Sequence, residues 1–340
     1  MNKLVLLATT ALVAFGASFP ALADNATITQ TGETNGVATQ HQPGQLGNNA
    51  TITQSGGTGD VATQEQARGN PLPPGFFDQT TNGTETITQT GNTGANASQE
   101  DNGNGGNVQS STQTGTTNAT ASTQMINSPG SQNDNQTSTQ GQDSASSVTQ
   151  TIGAAVNNVA FESSDSQTAV QNGQTSSSIT QVVDGSSNNN VQTATQNASG
   201  ANNKISATIV NGNANTILQT QDTGANSDTQ TASINAGSAN YIEQYQGSGS
   251  SSTQQASVDS SSNGRALQYQ ANGVVGGDQV IDQTGGGVDN QAGQGQGNSG
   301  NVATIMQTGG AGNVAIQNQG LVSGNPGFMF VNGAGVVVHN

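Results

Sequence analysis

The chain is 340 residues long, 29% hydrophobic and 7% charged, with 47 glycines, no cysteine and a formal net charge of −16 at pH 7. Ordinary domains run at about 45–50% apolar and about 25% charged, so this composition argues against a compact globule. The acidic balance opposes nucleic-acid binding, which needs a basic face to displace counterions, and the lack of cysteine removes disulfide staples and thiolate metal sites.

Residues 1–23 read as a secretory signal peptide: Lys3, a mostly apolar run over 4–15, then Ala21-Leu22-Ala23 ahead of Asp24. The expectation is an exported chain. No other stretch approaches the roughly 20 apolar residues that span a bilayer. Low hydropathy alone would then predict disorder. A repeat of fixed period overrules it.

The first unit covers residues 26–40. Ala26, Ile28 and Gln30 point one way and Thr27 and Thr29 the other, the period-2 signature of a half-buried strand. Gly32 and Asn35 mark a turn, and the run from Val37 to Gln40 returns, so the unit reads strand, turn, strand. The second unit centres on Gln54, with Gln64 as its closing partner. Residues 68–80 carry three prolines, which cannot donate to a ladder, and are expected to bulge as a loop. The pattern resumes at Gln89 with Gln99 and at Gln113 with Gln124, then blurs over about 128–203. It sharpens at Gln219, Gln244, Gln268, Gln283 and Gln307, the last closed by Gln317. The steps from Gln30 to Gln54, Gln89 to Gln113, Gln244 to Gln268 and Gln283 to Gln307 are all 24 residues. That length suits one rung of a β-solenoid, with about 22–25 residues per rung and roughly a dozen rungs over 24–322. Residues 323–340 are the most apolar piece after the leader, and Asn332-Gly333 predicts a terminal hairpin. A cap over the last rung is the first reading of it, and a docking or export signal the other.

In a stack of rungs each residue lies about 4.8 Å from its counterparts above and below. Every position must therefore tolerate its own kind. Gln and Asn do so, because an amide carries both donor and acceptor, while like charges directly opposed repel. The fourteen glutamines named above are thus candidates for a self-assembly ladder. The remaining acids, such as Glu33, Asp60 and Asp184, fall largely in predicted turns, where hydration is expected.

The unit Gln30, Gly32, Asn35, Ala38, Gln40, and likewise Gln113, Gly115, Asn118, Ala121, Gln124, resembles the curlin repeat. The resemblance covers most of residues 25–319. It implies a secreted subunit that polymerises with copies of itself into extracellular, cell-surface amyloid fibres of a bacterial biofilm matrix, helped by export-channel or nucleator proteins. The family usually spaces the closing Gln by eleven residues; several units here use ten, which would reverse the face of the second strand unless the turn compensates.

Two rivals are weaker. An enzyme needs titratable groups convergent in a cleft, yet His41 and His339 lie far apart in sequence, so no catalytic, cofactor or metal residues are expected. A monomeric solenoid acting as an adhesin or ice binder would use outward threonine pairs. These occur at Thr27 and Thr29, Thr51 and Thr53, and Thr86 and Thr88, and the pattern is expected to lapse after Thr88.

Overall fold

The computed structural model describes residues 25–42, 47–66, 82–102, 105–127, 132–153, 164–185, 187–197 and 199–320, with 330–331 and 337–338. The leader at 1–23 and the insertion at 68–80 lie outside the described residues, as does most of 323–340.

The described chain is an all-β solenoid of parallel strands without a helix. Consecutive main strands alternate between two sheets. The first sheet holds twelve strands, from Asn25–Thr31 to Val314–Gln319, and the second eleven, from Val37–His41 to Val302–Thr308. The strand Asn49–Ser55 shows why the sequence folds this way. Ala50, Ile52 and Gln54 are buried between the sheets while Asn49, Thr51 and Thr53 face outward, the alternation that a pleated, half-buried strand requires.

Many corners turn on left-handed residues about three positions apart. Gly56 (φ 66°) and Gly59 (φ 68°) flank Thr58, whose backbone bridges Thr34 below and Thr93 above. Where the closing Gln lies eleven positions on, Asn118 (φ 56°) and Ala119 (φ 57°) are both left-handed and absorb the extra residue. Gln54 and Gln64 are therefore both inward, and so are Gln113 and Gln124. The turn compensates for the spacing.

The register does not blur where the sequence does. Gln113 stacks on Gln140, Gln140 on Gln171 and Gln171 on Gln196. What varies is the connection: the bonded glutamines are 27 and then 31 residues apart here, and 35 apart from Gln54 to Gln89, against 24 to 26 at the other steps. The strands hold their register while the corner between them takes up the difference.

The inward columns change composition along the stack. The central column of the first sheet begins Ile28, Ile52, Ile87 and ends Gln219, Gln244, Gln268, Gln294, Gln317. In the second sheet the order is reversed, from Gln40, Gln64, Gln99, Gln124, Gln150, Gln181 to Ala207, Ala232, Ala256, Ile281, Ile305. Apolar and amide columns exchange sheets around residues 181–219. The terminal strands Phe330–Val331 and Val337–Val338 pair antiparallel and belong to neither large sheet.

Candidate assembly interface

The third inward column of the first sheet is glutamine in every rung, in register from Gln30 to Gln319. The amides are joined head to tail. Gln54 Nε2 donates to Gln89 Oε1 at 2.7 Å, Gln89 to Gln113 at 2.8 Å and Gln113 to Gln140 at 2.8 Å. In most rungs the second N–H of Nε2 reaches a backbone carbonyl across the core: Gln54 to Val37 O at 3.2 Å, Gln89 to Val61 O at 3.1 Å. One amide thus satisfies a neighbouring rung and the opposite sheet together, which a buried polar group must do to offset its desolvation.

The fourteen glutamines singled out by sequence do not form one ladder. Gln30, Gln54, Gln89 and Gln113 share the third column of the first sheet, whereas Gln219, Gln244, Gln268 and Gln317 belong to its central column. Gln40, Gln64, Gln99 and Gln124 stack in the centre of the second sheet, and Gln283 with Gln307 in its third column. Sequence reasoning missed Gln140, Gln171, Gln196, Gln221, Gln246, Gln270, Gln296 and Gln319. For Gln221, Gln246, Gln270 and Gln319 the signal was present, a Gln two residues after the one chosen in the same strand.

All these ladders run with one polarity, Nε2 toward the following rung. A ladder that starts inside the stack therefore begins on an unserved acceptor. The Oε1 atoms of Gln109, Gln219, Gln230 and Gln283 are buried without a hydrogen-bond partner. Their predecessors one rung earlier are Glu85, Ala194, Ile205 and Val258, none of which carries an amide.

The corners hold a second set of links that sequence did not reveal. The side-chain oxygen of the residue before a strand accepts the backbone N–H of its counterpart one rung on. Asn215 N donates to Asn190 Oδ1 at 3.0 Å, Asn240 N to Asn215 Oδ1 at 2.9 Å and Gly264 N to Asn240 Oδ1 at 2.8 Å. Acids fill the same role: Ala95 N donates to Asp60 Oδ1 at 3.0 Å, Asn190 N to Asp165 Oδ1 at 2.7 Å and Ser252 N to Asp228 Oδ1 at 2.8 Å. Asp60 is fully buried, which corrects the expectation of a hydrated turn; Glu33 and Asp184 are only half-buried. Burial raises the Asp60 carboxyl despite its backbone bonds, and pushes Asp143, Asp165 and Asp228 up to about 6.

Outward, the threonine array extends further than its sequence motif. Beyond Thr86 and Thr88 the same two columns continue through Ser110 and Thr112, Thr137 and Thr139, Thr168 and Val170, and Thr193 and Thr195. The lapse after Thr88 is corrected: variable connections hid the continuation. Past Thr195 the face changes to Glu243 with Tyr245 and Leu267 with Tyr269, whose tyrosine rings stack at 5.2 Å.

Among the described residues the stack ends in exposed strands. Every residue of Asn25–Thr31 is exposed, and Val302, Met306, Val314 and Ile316 are exposed apolar residues at the other end. Among the described residues no cluster of His, Cys, Asp or Glu could hold a metal ion, and no helix is long and apolar enough to cross a membrane. No protein-family model matches this chain, and no curated protein matches it.

Proposed function

We propose that this chain is a secreted structural subunit that assembles with copies of itself, end to end, into curli-like amyloid fibres at the cell surface. The carrying observation is the glutamine column whose amides bond without a break from Gln30 to Gln246, in a stack whose end strands pair on one side only among the described residues. An edge strand is a template for another chain, and an amide ladder that stops at an edge leaves donors at one end and acceptors at the other. The scarcity of charge fits a stack in which every rung faces its like. Export-channel and nucleator partners belong to the same reading.

The test is purified protein from residue 24 onward at neutral pH, followed by thioflavin T and fibre diffraction. A lag phase and reflections near roughly 4.7 Å and about 10 Å are expected. A stable soluble monomer over days would overturn the proposal.

The threonine array favours a second reading, a monomeric surface binder. Seven rungs carry small hydroxyl residues in paired columns, broken only at Val170. Inhibition of ice recrystallisation by the monomer, lost when Thr112 and Thr139 become Lys, would support it; no inhibition would remove the ice-binding form.

A further inference from the structure

The two ends of the solenoid carry the same repeat, half a turn out of phase. The first repeat places Ala26, Ile28 and Gln30 inward on the first sheet and Ala38, Gln40 and Gln42 on the second. The last repeat carries the same triplets in the same order, Ala303, Ile305, Gln307 and then Ala315, Gln317, Gln319, but with the sheets exchanged. The exchange of columns around 181–219 brings this about.

The strand count makes the phase consequential. Main strands alternate between sheets, and among the described residues the stack begins and ends on the first sheet, with twelve strands against eleven. The next position along the helical path is therefore on the second sheet, above Val302–Thr308. Resting on the self-assembly proposed above, we infer that successive copies join head to tail with a half-turn about the stack axis, so that the first sheet of one copy continues the second sheet of the copy before it.

In that junction Asn25–Thr31 pairs with Val302–Thr308, and Val37–His41 with Val314–Gln319. A half-turn about the axis carries one sheet onto the place and direction of the other, so the strands stay parallel and no position is skipped. Like meets like: Ile28 on Ile305, Gln30 on Gln307, Gln40 on Gln317. The amide polarity also matches. Gln30, Gln40 and Gln42 pass their Nε2 hydrogens to Gln54, Gln64 and Gln66, which leaves their Oε1 atoms facing the incoming end. Gln307 and Gln319 use Nε2 for carbonyls of the opposite sheet, leaving the other hydrogen to donate across the junction. A junction without the half-turn skips one position on the second sheet. It also sets Gln317 against Ile28 on the first sheet, so a buried amide faces an isoleucine, and leaves an unfilled position between Ile305 and Gln40 on the second.

The chain has no cysteine, so disulfide mapping is direct. A disulfide closes only when Cα atoms lie about 4.4–6.8 Å apart. Adjacent strands meet this, while opposed sheets, about 10 Å apart, do not. Single-cysteine chains at exposed outward positions, Thr29→Cys and Met306→Cys, are mixed equally, assembled and oxidised. The half-turn predicts inter-copy dimer about tenfold above the mixture of Thr29→Cys with Asn318→Cys, given that distance limit. Thr39→Cys with Ile316→Cys should link likewise, and Thr39→Cys with Thr304→Cys should not. Fibres that link through 29–318 overturn the half-turn and leave self-assembly standing. Fibres that link through neither set also overturn it. Failure of the unsubstituted protein to form fibres removes the self-assembly reading itself.

Discussion

Glu85 occupies the rung immediately before Gln109 in the first inward column of the first sheet, where it heads the ladder from Gln109 to Gln136, Gln167 and Gln192. Both Glu85 oxygens and the Gln109 Oε1 are buried without a hydrogen-bond partner. Burial, then Asp101 nearby, hold the Glu85 carboxyl well above its ordinary value. A neutral Glu85 could donate to Gln109, whereas an ionised one sets charge against an acceptor. Glu85→Gln is therefore expected to stabilise the protein at pH 7 by about 1–3 kcal/mol, the usual cost of an unserved buried group. It should change little at pH 4. Urea midpoints at the two pH values check this, and an equal gain at both would defeat the explanation.

The corner acids give a pH dependence of definite sign. Burial raises Asp143, Asp165 and Asp228 from the ordinary 3.8 to about 6 in the folded chain, so the folded state binds more protons than the unfolded state across that interval. Stability is full below the unfolded value, falls as pH rises, and levels off above the folded value. The protein should denature at higher urea at pH 4 than at pH 7. The triple variant Asp143→Asn, Asp165→Asn, Asp228→Asn keeps the Oδ1 acceptors and should flatten the profile. A profile of unchanged slope would show that other groups set it.

The strand-turn-strand unit was legible because period-2 alternation is local: Ala50, Ile52 and Gln54 are buried as their spacing demands. The stacking of Gln30 on Gln54 followed from a repeated 24-residue step. The phase exchange was not legible, since assigning Gln219 and Gln283 to sheets requires knowing how many residues each corner absorbs. Both look like the same motif, yet one sits on the first sheet and the other on the second. Nor did the sequence place Asp60. A turn acid is ordinarily hydrated, whereas this one faces the backbone N–H groups of Gly94 and of Ala95, the latter 35 residues on.

Within the continuous column, Gln140 tests how far stability rests on the ladder. It accepts from Gln113 at 2.8 Å and donates to Gln171 at 2.9 Å and to Ala121 O at 3.0 Å. Gln140→Leu keeps the volume roughly and strands those partners, at about 1–3 kcal/mol for each group left unserved. Gln140→Lys adds a buried charge and is expected to prevent folding or assembly. The four-site variant Gln30→Lys, Gln54→Lys, Gln307→Lys, Gln317→Lys should abolish fibres by stacking like charges at the ends. Unchanged fibre yield in that variant would separate assembly from the amide ladder.

Rung spacing itself sets the last expectation, which contrasts two glycines. A Cβ on Gly56 would meet nothing within 4 Å, but Gly56 is left-handed at φ 66°. Gly56→Ala should therefore cost about 1–2 kcal/mol from conformation alone. Gly237 is not left-handed, yet a Cβ there would collide with the backbone oxygen of Ser261 in the next rung and the Asn240 amide. Backbone in a stacked ladder cannot retreat without lengthening the bonds of two rungs, so Gly237→Ala should cost about 1–3 kcal/mol as an overpacking defect. It should also speed amide hydrogen exchange over roughly residues 230–265, while Gly56→Ala leaves that region unchanged. Equal exchange in both variants would mean that the solenoid widens locally with ease, and that close approach between rungs does not constrain this corner.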